Sequence, residues 1–333
     1  MEIRSGTALR VVAIVFGVLI ALRFLWIAHA IFFITFLGIV FGLAVSRAAD
    51  WLEAHRVRRG IGAPATMFAA IVLIVALTAL VAPSVTTETG DMRRELPQAL
   101  KTLEQKFGGA PIADHAIALI GKELRGLARF LFPMISGIVG AVGGVIIVLF
   151  IAIYVAVEPG VYRAGALHLV PHRHRARAEE VVGALCDTLR QWLVARLMAM
   201  AAVGLITGLG LFALGVKGAA ALGLFAGLLE LIPFFGPFVS AIPALGIALA
   251  DSPQKALGVL LLYVAVQQLE GNLITPLILE RRLDVPPVLT IVAVSAMGVV
   301  FGVLGMLVAE PILAATLVVT KMLYVQDVVH DDV

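Results

Sequence analysis

Glu230 and Glu310 each stand just ahead of a proline in a strongly apolar run, three residues before Pro233 and one residue before Pro311. An ionisable side chain at bilayer depth costs roughly 2.5 to 3.5 kcal/mol on insertion scales, so it needs a partner, water or a task. Beside backbone loosened by a proline, a carboxylate can pass a proton or hold a cation. The alternative is that each sits at the membrane interface or pairs with a lysine or arginine. A second polar set, Gln267, Gln268, Glu270, Asn272 and Thr275, arrives in quick succession ahead of Pro276. It either lines a polar pathway or marks the end of a span at headgroup level.

Such groups can work only if the surrounding backbone holds them, and the stretch that governs this is Glu230 to Pro243, Glu-Leu-Ile-Pro-Phe-Phe-Gly-Pro-Phe-Val-Ser-Ala-Ile-Pro. Pro233 and Pro237 remove backbone donors, and Gly236 between them can take a conformation closed to other residues. A continuous helix is not expected through it. In hydrocarbon each unpaired backbone group costs several kcal/mol, so a break survives only where protein or a watery cavity covers it. The run 219–232 before the first proline and the run 238–250 after the second are each too short to cross comfortably, which predicts a re-entrant hairpin; a pair of kinked full spans is the alternative. The polar cluster before Pro276 suggests a second broken helix. A last apolar pair is split around Gly302 and Gly305, with Glu310-Pro311 inside its second member.

The composition places these elements in a membrane. Of 333 residues 61% are hydrophobic, and the mean hydropathy is +1.05, leaving too few polar side chains to cover a soluble globule. The net charge of +3 does not point to nucleic acid, because the basic residues sit in short connections between apolar spans, as the positive-inside rule requires. The single cysteine, Cys186, rules out an internal disulfide framework. No cleavable leader is expected, since Arg23 interrupts the first apolar run and a second follows without a small-residue cleavage site.

In chain order, residues 7–25 and 27–45 read as a tight transmembrane hairpin turning at Trp26 and His29, and a third span opens at Pro64 and ends near Pro83. Arg47, Arg56, Arg58 and Arg59 put the connection between them, and with it the N-terminus, in the cytoplasm. Residues 84–133 mix charges with apolar positions and form an extramembrane helical insert. Its Ile117, Ile120, Leu124, Leu127 and Leu131 make a seam for its own neighbour or for a subunit contact. A fourth span, 134–157, carries Ser136, Gly140 and Gly144 on one face for close packing. A basic cytoplasmic loop with His168, His172 and His174 follows, then an amphipathic surface helix with Val182, Leu185, Leu189 and Leu193 on one side, then a fifth span over 197–214 with Gly204 and Gly208. Arg281 and Arg282 mark a further cytoplasmic connection, and the acidic tail from Asp327 ends the chain in the cytoplasm. The domains expected are 1–83, the insert 84–133, 134–196, a transport unit 197–324 and the tail 325–333. The fold class is all-α, a polytopic integral membrane protein with about 7–8 transmembrane segments, a re-entrant hairpin and a small outer insert.

Enzyme chemistry finds no support. The chain has no Gly-x-x-x-x-Gly-Lys-Ser/Thr loop to hydrolyse nucleotide, no Gly-x-Ser-x-Gly elbow and no His-Glu-x-x-His helix. The three histidines sit among Arg173 and Arg175, which repel a cation, and no carboxylate stands at ligand spacing among them, so neither a metal nor another cofactor is expected.

Taken in order, Leu-Ile-Pro-Phe-Phe-Gly-Pro-Phe, Gln-Gln-Leu-Glu-Gly-Asn-Leu-Ile-Thr-Pro, Arg-Arg-Leu-Asp-Val-Pro-Pro and Phe-Gly-Val-Leu-Gly-Met-Leu-Val-Ala-Glu-Pro resemble the autoinducer-2 exporter (AI-2E) family of bacterial permeases over nearly the whole chain. The resemblance implies a homo-oligomeric inner-membrane protein that moves a small solute or ion without ATP. Some members resemble sodium/proton antiporters, so the family's name does not fix the solute. The family's pattern falls on Pro233, Gly236 and Pro237, on Gln268, Glu270, Asn272 and Pro276, and on Gly302, Gly305 and Pro311. Glu310 departs from it, standing where the family usually has a small or apolar residue. The function expected is secondary transport of a small polar solute, in the export direction. A passive oligomeric channel and a membrane scaffold are the alternatives.

Overall fold

Apolar runs that must satisfy every backbone donor without water become helices, and the computed structural model, described at residues 5–69, 71–72, 76, 142–274 and 286–330, contains helices and turns and no strand among those residues. The outer insert, with its expected seam, lies outside the described residues. So do Ser136, Gly140, Thr275, Pro276, Arg281 and Arg282, and most of the third span. Among the described residues, four helices are long and apolar enough to cross a membrane, or five if a pair bent by 87° across Glu158 counts as one.

The first helix, α1 (Ser5–Ala54), runs unbroken for 50 residues, about 75 Å at 1.5 Å per residue. This corrects the expected hairpin. Nothing at Trp26 or His29 removes a backbone donor or demands a positive φ, so two apolar runs joined by one tryptophan simply continue as a single helix. The correction also removes the turn that placed the N-terminus on the same side as residues 47–62. A second helix, α2, begins at residue 59 and is described through 69.

Helix α3 (Val142–Val157) lies along α1, with the two chains running in the same direction. The close approach comes from α1: a Cβ at Gly38 would sit 2.7 Å from the Ile151 side chain, and one at Gly42 would sit 2.9 Å from the Ala152 carbonyl. Arg59 ties the three helices together, donating to the Ala156 carbonyl at 3.0 Å and to Asp50 at 2.5 Å, and reaching Ser46. The residues beyond Val157 form α4 (Pro159–His168) and a single 3₁₀ turn, His172–His174, where a loop was expected.

Helix α5 (Arg175–Ala213) merges the expected surface helix and fifth span into one rod of 39 residues, about 58 Å long. Leu189, Trp192 and Leu193 pack on Val40 of α1, so the Leu189 and Leu193 half of the stripe expected at the membrane surface is buried against a helix. Gly215 and Gly218, both at positive φ, then turn the chain into the short α6 (Ala219–Leu229).

Helix α6 returns along α5 at glycine-to-glycine distance. A Cβ at Gly223 would lie 2.5 Å from the Gly208 Cα, and one at Gly227 would lie 2.6 Å from the Met200 carbonyl. After the break comes α7 (Phe235–Asp251), then α8 (Pro253–Leu269), which continues into a wider π-type turn, Glu270–Ile274. Helices α6 and α7 form a hairpin whose two ends meet at one place. Lys255 donates to the Gly215 carbonyl at 3.0 Å and pairs with Asp251, whose carboxyl it holds below its ordinary value by hydrogen bond and charge. Leu211, Leu222, Ala244, Val259 and Tyr263 fill the body of this hairpin, and the Tyr263 hydroxyl donates to the buried Ser240 carbonyl at 3.0 Å.

The last helix, α9 (Pro287–Val319), is bent back on itself at Gly302, whose φ of 67° and ψ of −151° lie in a region essentially reserved for glycine. Its arms, 287–301 and 303–319, pack face to face, with Val294 against Ala309 and Met297 against Gly305. This second hairpin is the split apolar pair expected around Gly302 and Gly305. Its far end continues through π-type turns, Thr320–Val329, to the start of α5. There Arg177 binds the Met322 carbonyl at 2.8 Å, Gln326 at 3.0 Å and Asp327 at 2.8 Å.

Candidate functional site

The first hairpin turns over residues 230–234, and the turn is built differently from the sequence expectation. Pro233 stands outside both helices, but Pro237 sits in the first turn of α7, where a missing donor has no helical partner to lose. The positive φ falls on Phe234 (φ 63°, ψ −43°), not on Gly236. Phe234 centres a γ-turn closed by the Phe235 amide donating to the Pro233 carbonyl at 2.7 Å, a strained geometry that persists only when its surroundings enforce it. Gly236 is needed for space: a Cβ there would lie 2.1 Å from the Leu229 carbonyl oxygen.

That turn delivers Glu230 into the protein. Its amide caps α6 on the Ala226 carbonyl at 3.0 Å, and its side chain is 0% exposed. Arg196 of α5 meets it, Nη1 to Oε1 at 3.3 Å, and reaches with Nη2 to Oε2 of Glu310 on the second hairpin at 2.5 Å. Arg196 is 11% exposed and Glu310 19%. The second oxygen of Glu230 is fully buried and has no hydrogen-bond donor among the described residues. Beside the ion pairs, Ile232 at the first hairpin's tip packs on Val294 and Ala309 of the second.

The two hairpins therefore reach Arg196 from opposite ends of α5. The first starts at the Ala213 end, where Gly215 and Lys255 are joined, and its tip comes to Arg196. The second starts at the Arg177 end and passes Arg196 at Glu310, before Gly302 turns it. Its tip docks Phe301 among Trp26, His29 and Phe33 of α1, at ring separations of 5.6, 5.1 and 5.0 Å. Two short helical hairpins entering from opposite ends and meeting at one buried ion cluster are architecture suited to carrying a solute.

Residues 13–324 match the family model of the AI-2E family transporter. The chain belongs to that family. It is similar to the candidate transport protein YueF of Bacillus subtilis, 29% identical over 73% of this chain and 70% of YueF. It is also similar to the candidate transport protein YrrI of the same organism, 29% identical over 58% of this chain and 56% of YrrI. The candidate transport protein YhhT of Escherichia coli is 23% identical over 83% of this chain and 80% of its own length. As an AI-2E family member with several apolar helices, the chain is a multi-pass membrane transporter.

In this AI-2E member the structure brings Glu230 and Glu310 together through Arg196, and Glu270 stands within electrostatic reach of Glu230. Gln267 donates to Glu270 at 3.1 Å, and Asn272 donates to the Gln268 side chain at 3.2 Å; these amides are exposed on the edge of the cluster. Pro311 is buried inside α9 without breaking it, so of the breaks expected at Gly302 and at Pro311 the helix shows the one at Gly302. The proline still leaves the Leu307 carbonyl without its helical donor. Arg196 is not among the residues that the sequence points to, because a fifth span beginning at Leu197 leaves it outside. The signal was present, however. A helix pattern continued without a cap from Trp192 through Leu211 places one arginine, Arg196, inside an apolar rod, and such a residue needs a carboxylate.

Proposed function

We propose that this chain is a secondary transporter of the bacterial inner membrane that exports a small polar solute of the autoinducer-2 kind by alternating access, coupled to a proton or sodium gradient. The observation that carries the reading is Arg196 joining a carboxylate from each of two opposed hairpins in a protein-covered site. Breaking and remaking those pairs gives each hairpin a reason to move against α5, and the exposed Gln267, Gln268 and Asn272, with Thr275, supply hydrogen bonds for the solute's path. Pro233, Gly236 and Pro237 serve as the hinge of one hairpin, Gly302 and Gly305 of the other, and Pro276 and Pro311 loosen the flanking backbone. The connections that carry Arg47, Arg56, Arg58, Arg59, Arg173 and Arg175 face the cytoplasm by their charge, as does the C-terminal segment, and the protein works as a homo-oligomer.

Purified protein in liposomes containing a pH-sensitive dye tests this directly. Autoinducer-2 applied across an imposed proton or sodium gradient is expected to move in a saturable, gradient-dependent way, and Glu230→Gln is expected to abolish coupled movement while leaving the protein folded. Flux that neither saturates nor needs a gradient would replace the carrier with a passive pore. Unchanged coupled flux in Glu230→Gln would remove Glu230 from the mechanism.

A further inference from the structure

Among the described residues, the charges at the hairpin junction do not balance. Arg196 brings one positive charge, while Glu230 from the end of α6, Glu270 from the end of α8 and Glu310 from α9 bring three carboxylates. Helix α7 brings no titratable group before Asp251 at its far end. The guanidinium serves one oxygen of Glu230 at 3.3 Å and one of Glu310 at 2.5 Å, and the remaining oxygen of Glu230 is sealed from solvent with no donor among the described residues, while the Glu270 carboxyl lies within side-chain reach of Glu230. A buried carboxylate oxygen without a donor is costly, and this one faces a cluster already short of positive charge. The cation that meets these carboxylates is the Arg196 guanidinium, which is attached to the protein. An anionic solute would not choose this site, because the arginine that could receive it is already held by two carboxylates.

We infer that Glu230, Glu310 and Glu270 form a monovalent-cation site which Arg196 occupies as a tethered cation in this conformation, and that a free proton or sodium ion takes its place during the working cycle. The inference deepens the transport reading and rests on it, by naming the class of coupling species and how the site is kept filled without one. With Arg196 in place, both hairpins are bonded to α5 and the carboxylates are compensated. When a proton or sodium ion binds the carboxylates, the guanidinium is released, the two hairpins lose their common tether, and either can swing away. The chemistry shared by the two occupants is a small positive charge on carboxylate oxygen, and the arms of the test separate them.

The test is thermal unfolding of the full chain in nanodiscs, which needs no solute. Wild type is expected to melt at nearly the same temperature in sodium, potassium or choline buffers across neutral and mildly acidic pH. Arg196→Gln leaves the carboxylates uncompensated, so its melting temperature is expected to fall in choline at alkaline pH and to recover with an added cation. Recovery on acidification in choline identifies the proton. Recovery with sodium but not potassium at alkaline pH identifies sodium, with retention of radioactive sodium rising about tenfold over wild type, since a competing ligand worth about one decade has been removed. The absence of both recoveries overturns the inference. If Arg196→Gln does not accumulate, Arg196→Lys keeps a charge without the fork that reaches both carboxylates, and is expected to show the same ion dependence at smaller amplitude. A flat response there overturns the inference equally. Ion-dependent melting without any flux would sink the transport reading alone, whereas coupled flux with ion-independent melting would sink only the tethered-cation site.

Discussion

Gly302→Ala tests the backbone on which the second hairpin depends. At φ 67° and ψ −151° the residue lies where side chains are almost never found, and holding an alanine there costs about 1–3 kcal/mol. A Cβ at Gly302 would meet no atom within 4 Å, so the whole effect comes from dihedral strain. Gly305→Ala provides the opposite case. Its backbone is not at positive φ, but its Cβ would lie 2.2 Å from the Met297 carbonyl oxygen and 2.8 Å from the Phe301 Cβ, so the two arms must part, at an overpacking cost of about 1–3 kcal/mol. Each variant is compared with wild type by chemical unfolding of the purified protein in nanodiscs, while fluorescence from Trp26 follows the tip, since Phe301 lies 5.6 Å from that ring. At 1.4 kcal/mol per decade, the unfolding constant is expected to rise roughly five- to 150-fold, with a change in Trp26 emission. Gly302→Ala unfolding within about 0.5 kcal/mol of wild type and with the same emission would refute the glycine turn, because surface substitutions away from special geometry fall in that range.

Two further outcomes follow from packing and charge. Gly223→Val is expected to remove most monodisperse protein from membrane extracts on size-exclusion chromatography, because its Cβ would lie 2.5 Å from the Gly208 backbone and would drive Glu230 away from Arg196; Gly60→Ala, which meets nothing within 4 Å, should behave as wild type. Arg177→Ala removes the donor to Met322, Gln326 and Asp327, so trypsin is expected to cut at Lys321 faster than in wild type. High salt should bring wild type part of the way there, since these ion pairs are solvent-accessible and screened. Equal cleavage rates in both proteins would show that Arg177 does not hold the C-terminal segment.

The amino-acid sequence alone determined the solvent, the helical class and the places where helices cannot run. Those properties come from composition and local backbone chemistry: 61% hydrophobic residues belong in lipid, Pro233 lacks a donor and Gly302 has no side chain. It also picked out Glu230 and Glu310, because a carboxylate in an apolar run is conspicuous without knowing its neighbours. Continuity was harder to read. Nothing in residues 5–54 or 175–213 marks where a long apolar pattern should stop, so one helix was divided at Trp26 and another at Leu197. The proline rule overreached as well, because a proline in a first turn, such as Pro237, or buried in a helix, such as Pro311, interrupts no helix by itself. Only the tertiary structure decided that Glu230 and Glu310, 80 residues apart, share Arg196. That pairing depends on Gly204 and Gly208 of α5 admitting Gly223 and Gly227 of α6, and on Gly302 folding α9 back, so that three separate stretches of chain arrive at one depth. Charge attraction falls off over a few ångströms in protein and is decided by where side chains end up in space, which sequence spacing does not encode.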